Sequence, residues 1–306
     1  MKFDVVLGNP PYQDTKRKNS VERGKNSNLW SQFLTQSIDH LVCDDGYVTL
    51  ITPASWISGG KNLLRDYFAK YNTCFINLNE CAKWFDVGFS FSYYIIQKKP
   101  NTGHTTIYSN LDEVGVFKTE TIDLRGIEFF PLRLNATIAS IIKKTLNSPG
   151  KKFNIFKDST YTGTPATRKH EGLLTSKTIN NKFEVFHTPT TRLWSKTKPL
   201  YYGIEKVIIN TTSYYEDLFV SDIATTYAAA VYLPERGETA NAAHSVLSKK
   251  IYVFLNNLCR WNNWNNVKIM RKFPKVDLSR SWTDEELYKH FNLTLDEITL
   301  IEETIK

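Results

Sequence analysis

The sequence predicts an α/β fold for residues 1–100 and an α+β region after them. Three observations carry the prediction. Strand-like and helix-like apolar patterns alternate from Phe3 to Gln97, the alternation stops near residue 100, and 41% hydrophobic content over 306 residues is enough for two domains. Lys and Arg number 39 against 31 Asp and Glu, a net charge of +8 that favours an anionic partner such as nucleic acid, although a merely basic surface has the same balance. Cys43, Cys74, Cys81 and Cys259 form no Cys-x-x-Cys pair and no His has zinc-site spacing, so a reduced cytoplasmic setting without a bound metal is expected. No long apolar run or secretory signal occurs, which predicts no membrane partner.

The first element is the apolar run Phe3-Asp4-Val5-Val6-Leu7-Gly8, a short strand that enters Asn9-Pro10-Pro11-Tyr12 directly. Residues 13–27 are polar and carry Lys16, Arg17, Lys18, Arg23 and Lys25, which suit either a solvated face or a grip on DNA phosphates. Leu29, Trp30, Phe33, Leu34, Ile38, Leu41 and Val42 then recur at helical spacing, and Asp44-Asp45-Gly46 ends that pattern. Tyr47-Val48-Thr49-Leu50-Ile51 reads as a buried strand closing at Thr52-Pro53. After Ser58-Gly59-Gly60 a second helix places Leu63, Leu64, Tyr67, Phe68 and Tyr71 on one face. Strands around Phe75-Ile76-Asn77-Leu78 and from Phe91 to Gln97 complete the first domain, 1–100.

The tetrapeptide Asn9-Pro10-Pro11-Tyr12 carries the most chemistry. An exocyclic amine on an aromatic ring has a delocalised lone pair and is a poor nucleophile, so it must be activated where it binds. The Asn9 side-chain carbonyl and the Pro10 main-chain carbonyl can both accept hydrogen bonds from such an amine and stabilise developing positive charge. Successive prolines fix φ and remove two backbone donors, which keeps the loop stiff and acceptor-rich. Tyr12 offers a stacking face, as a base flipped out of a duplex requires. A proline turn after a buried strand would also explain Asn-Pro, but the full four-residue match in a strand-to-loop context favours the catalytic reading.

With these parts in order, residues 1–100 resemble the second half of an adenine-specific DNA methyltransferase of the Eco57I restriction-modification type. Its catalytic loop is followed by a helix, a strand ending in Thr-Pro, as at Thr52-Pro53, and a leucine-arginine pair on the next helix, as at Leu64-Arg65. The resemblance implies a partial Rossmann-like methyltransferase sheet, S-adenosylmethionine as cofactor and double-stranded DNA as partner. It also implies that Phe85, in Trp84-Phe85-Asp86-Val87, meets the face of the flipped adenine opposite Tyr12; an ordinary core aromatic is the alternative.

By the same resemblance, residues 101–275 form a target-recognition domain, and the helix-start patterns in 276–306 predict a helical tail. Arg168 and Lys169, in the hydroxyl-rich stretch 161–170, and Arg192, in Thr188-Pro189-Thr190-Thr191-Arg192, are candidate DNA contacts. A helix is predicted from Ser245 to Leu258. The segment Arg260 to Lys268 holds two Trp and four Asn; Asn can read adenine, but Trp packed under a loop with Asn in turn positions is the favoured reading. Thr283-Asp284-Glu285-Glu286 and Thr294-Leu295-Asp296-Glu297 match the capping pattern that starts helices.

These methyltransferases hold the methionine part of the donor over a glycine-rich turn, and no Phe-x-Gly-x-Gly pattern occurs among the fourteen Gly. The donor-contacting residues are therefore left unassigned. The expectation is a split or truncated enzyme whose donor-binding half is a separate polypeptide that covers an otherwise bare sheet edge. The non-enzymatic alternative is a DNA-binding remnant, decoy or specificity subunit. A glutamine or RNA-base substrate is a third reading, disfavoured by the long region beyond residue 100.

Overall fold

The computed structural model describes residues 2–12, 29–57, 63–78, 80–84, 91–110, 117–127, 130–131, 133–158, 173–212, 215–258, 260 and 265–305. They fall into two compact units, Met1–Lys143 and Lys144–Lys306.

In the first unit, β1 (Phe3–Gly8) leads through the tetrapeptide towards α1 (Leu29–Gln36), which ends in a π-helical turn at Ser37–Leu41. Then follow β2 (Val42–Pro53), α2 (Leu63–Lys70), β3 (Tyr71–Asn77), β4 (Phe91–Pro100), β5 (Thr105–Asn110), β6 (Phe117–Ile122) and α3 (Ala136–Lys144). The six strands form one mixed sheet in the order β1-β2-β4-β3-β5-β6, with β1 parallel to β2, β3 parallel to β5, and β4 antiparallel to both of its neighbours. The sheet therefore does not stop near residue 100, as the loss of alternation suggests; β5 pairs in register with β3 from Phe75–Thr106 to Asn77–Tyr108.

The sheet's two faces differ. Val48 and Leu50 of β2, Ile76 of β3, and Tyr94 and Ile96 of β4 are buried, together with Trp30 and Leu34 of α1 and Leu64 and Phe68 of α2. Phe68 sits edge-on to both Tyr94 and Trp56, with ring centroids 5.4 and 5.2 Å apart. Successive strand side chains point to opposite faces, so Val5 and Leu7 line up across the register with Tyr47 and Thr49 on the other side, while Phe3 pairs with Val42 before a register shift. There Phe3 is 49% exposed, Val5 57% and Leu7 78%.

The second unit adds β7 (Ile155–Phe156), β8 (Leu173–Leu174), β9 (Phe183–Thr188), β10 (Thr191–Ser195), β11 (Lys206–Asn210), β12 (Phe219–Ser221), β13 (Ala224–Thr225) and β14 (Ala229–Tyr232). They form two four-stranded sheets, β13-β9-β10-β8 and β12-β11-β14-β7. Five helices follow: α4 (Ala240–Leu247), α5 (Lys250–Leu258), α6 (Val267–Met270), α7 (Asp284–His290) and α8 (Leu295–Thr304). The capping boxes expected at Thr283 and Thr294 are both formed, with Glu286 and Glu297 returning the bond to the cap backbone. The helix expected from Ser245 to Leu258 is instead two helices broken at Ser248-Lys249. Asp284 accepts from the Lys250 backbone N–H at 2.8 Å and so caps the start of α5 from a distant part of the chain.

Candidate active site

Parallel strands β1 and β2 deliver their carboxyl ends to the same edge of the sheet, the edge at which open α/β sheets bind ligands. Asn9 is exposed there, Pro10 is buried, Pro11 is exposed and Tyr12 is half-buried. The Leu29 backbone N–H donates to the Tyr12 carbonyl at 3.1 Å, which ties the end of the tetrapeptide to the start of α1. The Tyr12 hydroxyl donates to Asn9 Oδ1 at 2.6 Å. One of the two acceptors expected to hold a substrate amine is thus engaged by the neighbouring phenol.

The aromatic partner of Tyr12 among the described residues is Phe91, with centroids 5.4 Å apart and ring planes inclined by 37°. Phe91 opens β4 and pairs across the ladder with Pro53, so the strand ending in Thr-Pro fixes where this ring stands. The Trp56 indole donates to Ser92 Oγ at 2.7 Å in a buried bond that holds the turn after β2 against the start of β4. Phe91 could have been found from sequence only by pairing β2 with β4 antiparallel, which places the first residue of β4 beside the last of β2.

A second support closes the end of β3. Asn77 Nδ2 donates to Glu80 Oε2 at 2.9 Å while Asn77 Oδ1 accepts from the Glu80 backbone at 3.0 Å, anchoring a single turn of 3-10 helix, Glu80–Lys83. That turn buries Cys81 near Tyr12. Burial pushes the Tyr12 hydroxyl above its usual pKa, the neighbouring Cys81 adds to the rise, and the bond to Asn9 partly opposes it. Tyr12 therefore stays a neutral donor at physiological pH, suited to stacking rather than to acting as a base.

Arg192 donates to the Thr188 carbonyl at 2.9 Å, lies 3.4 Å from a Glu184 oxygen, and places its guanidinium 4.5 Å from the centroid of the Phe186 ring. Its donors thus serve the β9–β10 hairpin. Asn265 is buried and bonds Asn256 and the Asn210 carbonyl, and Asn266 caps α6, in keeping with the structural reading of those two asparagines. Phe85, Lys16, Arg17, Lys18, Arg23, Lys25, Arg168 and Lys169 lie outside the described residues, as do 261–264. Among the described residues no cluster of His, Cys, Asp and Glu could hold a metal ion, and no helix is long and apolar enough to cross a membrane.

Residues 1–85 match the Eco57I restriction-modification methylase family. The chain is also 29% identical over 154 residues to an uncharacterized adenine-specific methylase from Mycoplasma pneumoniae, a match covering 48% of this chain and 35% of that protein. It resembles adenine methyltransferases of restriction-modification systems, and it spans about a third of the length of the curated relative it matches. Among solved structures it is similar to the type IIL restriction-modification enzyme MmeI in complex with DNA, at 10% identity and a TM-score of 0.48 over 89% of this chain and 45% of that one. The DrdV–DNA complex gives 11% identity and a TM-score of 0.46 over 98% and 44%.

Proposed function

We propose that this chain supplies the base-binding half of an adenine-specific DNA methyltransferase acting in the cytoplasm. The substrate is double-stranded DNA, from which one adenine is flipped. The observation that carries the reading is the Asn9-Pro10-Pro11-Tyr12 loop at the carboxyl end of β1, with Phe91 beside Tyr12. The flipped adenine stacks on Tyr12, and its amine exchanges for the Tyr12 hydroxyl at Asn9 Oδ1 and donates its second hydrogen to the Pro10 carbonyl. Both acceptors are neutral, so they favour the amine as positive charge grows on nitrogen without removing its proton first. The order β1-β2-β4-β3, with its antiparallel β4, is read as the second half of a Rossmann-like sheet. Residues 101–275 are read as the part that recognises the DNA sequence, with Arg168, Lys169 and the 16–25 cations on phosphates and Phe85 on the base.

S-adenosylmethionine, the donor in this reading, carries an electrophilic methyl group on its sulfonium. The residues present do not fit the donor by themselves. No glycine-rich turn of the required pattern occurs in the 306 residues, and the Phe3, Val5 and Leu7 side of β1 is open. Further polypeptide, whether continuous with this chain or separate, is proposed to add strands along β1, cover that apolar side and bring the donor. The missing turn equally favours a second reading, a DNA-binding remnant, decoy or specificity subunit.

Transfer of labelled methyl from S-adenosylmethionine to unmethylated DNA tests the two, with the chain assayed alone and together with polypeptides from its own restriction-modification locus. Label on adenine that Asn9→Ala abolishes supports the enzyme. DNA binding with no transfer in any combination, and no effect of Asn9→Ala, supports the second reading.

A further inference from the structure

In the second unit, two adjacent turns at one end of the β13-β9-β10-β8 sheet each hold out a large aliphatic side chain. One turn runs from Thr178 to Asn181: the Thr178 backbone N–H donates to the Asn181 carbonyl at 3.1 Å, and the Asn181 N–H donates to Thr178 Oγ1 at 2.9 Å. Asn181 is buried and donates from Nδ2 to the Trp194 carbonyl at 3.0 Å, which pins the turn to β10. Ile179, the second residue of this turn, is 97% exposed. The other turn runs from Pro199 to Tyr202, closed by the Tyr202 N–H donating to the Pro199 carbonyl at 3.1 Å, and its second residue, Leu200, is 70% exposed. The turns are neighbours because the Phe183 ring, two residues past Asn181, meets the Tyr202 ring edge-on at 5.2 Å, and because Phe183 pairs with Ser195.

Four lysines stand on or beside the two turns, with the acids Glu184 and Glu205 just beyond them in sequence and the Asp222 carbonyl accepting from the Gly203 N–H at 2.8 Å. Residues 173–183 and 193–204 contain Lys177, Lys182, Lys196 and Lys198 and no Asp or Glu. The Lys177 ammonium lies over the Trp194 ring at 5.2 Å and the Lys182 ammonium over the Phe183 ring at 5.5 Å, which holds both charges at this end of the sheet. Folding gains nothing from a nearly fully exposed isoleucine on a pinned turn, and a lipid surface would need more than two apolar side chains. Rigid aliphatic tips flanked by four lysines suit a polyanion with apolar slots, which is a stacked duplex.

We propose that Ile179 and Leu200 are wedges that press between base steps of the bound DNA while Lys177, Lys182, Lys196 and Lys198 take the flanking phosphates. This rests on the DNA-binding reading above and adds a second point of distortion, separate from the flipped base.

Permanganate footprinting, which marks unstacked thymines, tests it on a long unmethylated duplex bound by the full chain. Wild type is run beside Ile179→Ala, Leu200→Ala and Tyr12→Ala. The expected result is a set of reactive thymines that the two aliphatic variants return to the free-duplex level and Tyr12→Ala leaves in place, with affinity lowered about tenfold. The pair Lys177→Ala and Lys182→Ala should reduce the slope of log affinity against log salt by about 0.9 for each phosphate that is no longer neutralised. Footprints and salt slopes identical to wild type in all these variants overturn the wedge while DNA binding stands. A wild-type chain that fails to retard duplex DNA at low salt overturns the DNA-binding reading, and the wedge with it.

Discussion

Gly46 holds β1, and through it the Asn9–Tyr12 loop, at its present distance from β2. A Cβ at this position would lie 2.6 Å from Val42 Cγ2, 2.8 Å from the Asp4 carbonyl oxygen and 3.0 Å from Cys43 Sγ. The valine methyl can turn aside, but the Asp4 oxygen is backbone of β1 and moves only if the strand moves. Among the described residues β2 is the single strand neighbour of β1, so the displacement meets no second ladder there. Overpacking of this kind costs about 1–3 kcal/mol, and because Gly46 is not in the left-handed region, backbone strain adds nothing to the clash. Gly46→Ala should therefore speed hydrogen exchange of the β1 amides by about 5- to 150-fold while leaving β9 and β11 in the second unit unchanged. Native-state exchange read by mass spectrometry resolves the two sets. Unaltered β1 protection in Gly46→Ala would show that β1 is not held at this approach, and the account of how the loop is positioned would fall.

Three further outcomes follow from the geometry. In any preparation that methylates adenine, Tyr12→Phe removes only the hydroxyl on Asn9 and should retain activity, whereas Tyr12→Ala loses a stacking face and should cost about 1–3 kcal/mol in kcat/KM; equal losses would place the hydroxyl, not the ring, at the centre of the chemistry. Burial pushes the Lys206 ammonium down to about 8 from 10.5, partly opposed by Asp222 and Asp158. Between those values the unfolded chain binds more protons, so the cost of the buried charge is full below pH 8 and relieved towards 10.5. Stability of the second unit should rise across that window, and Lys206→Met should flatten the rise in urea melts. Thr283→Ala and Thr294→Ala should each cost about 0.5–2 kcal/mol; a loss from only one of them would show that the boxes do not contribute alike.

The elements readable from sequence were those set by local chemistry. Both capping boxes are four-residue patterns whose partners are their own neighbours, and both formed where Thr and Glu predicted. The helix from Leu29 was readable by its spacing, but Val42 belongs to β2 rather than to the helix, because the turn at Ser37–Leu41 widens and releases the chain early. Long-range partners were not readable. At the break between α4 and α5 the first amide of α5 is capped by Asp284, thirty-four residues away in the chain, which no local pattern announces. The aromatic beside Tyr12 had the same difficulty: Phe85 follows from motif order, whereas Phe91 reaches Tyr12 through the pairing of β4 with β2.

The exposed side of β1 separates the two functional readings more sharply than the loop does. A chain that only binds DNA gains nothing from Phe3, Val5 and Leu7 alternating outward on one strand, since a bare apolar strand at a sheet edge invites aggregation. In the proposed base-binding half they have a use, as the surface on which a donor-bearing polypeptide would pack. Val5 and Leu7 are 57% and 78% exposed, so Val5→Lys and Leu7→Lys should leave the melting of the isolated chain unchanged within about 0.5 kcal/mol. In the presence of the donor-bearing polypeptide the same variants should lose both association and methyl transfer. Full transfer by the doubly substituted chain would mean that the donor arrives by another route, and would leave these three side chains without a role.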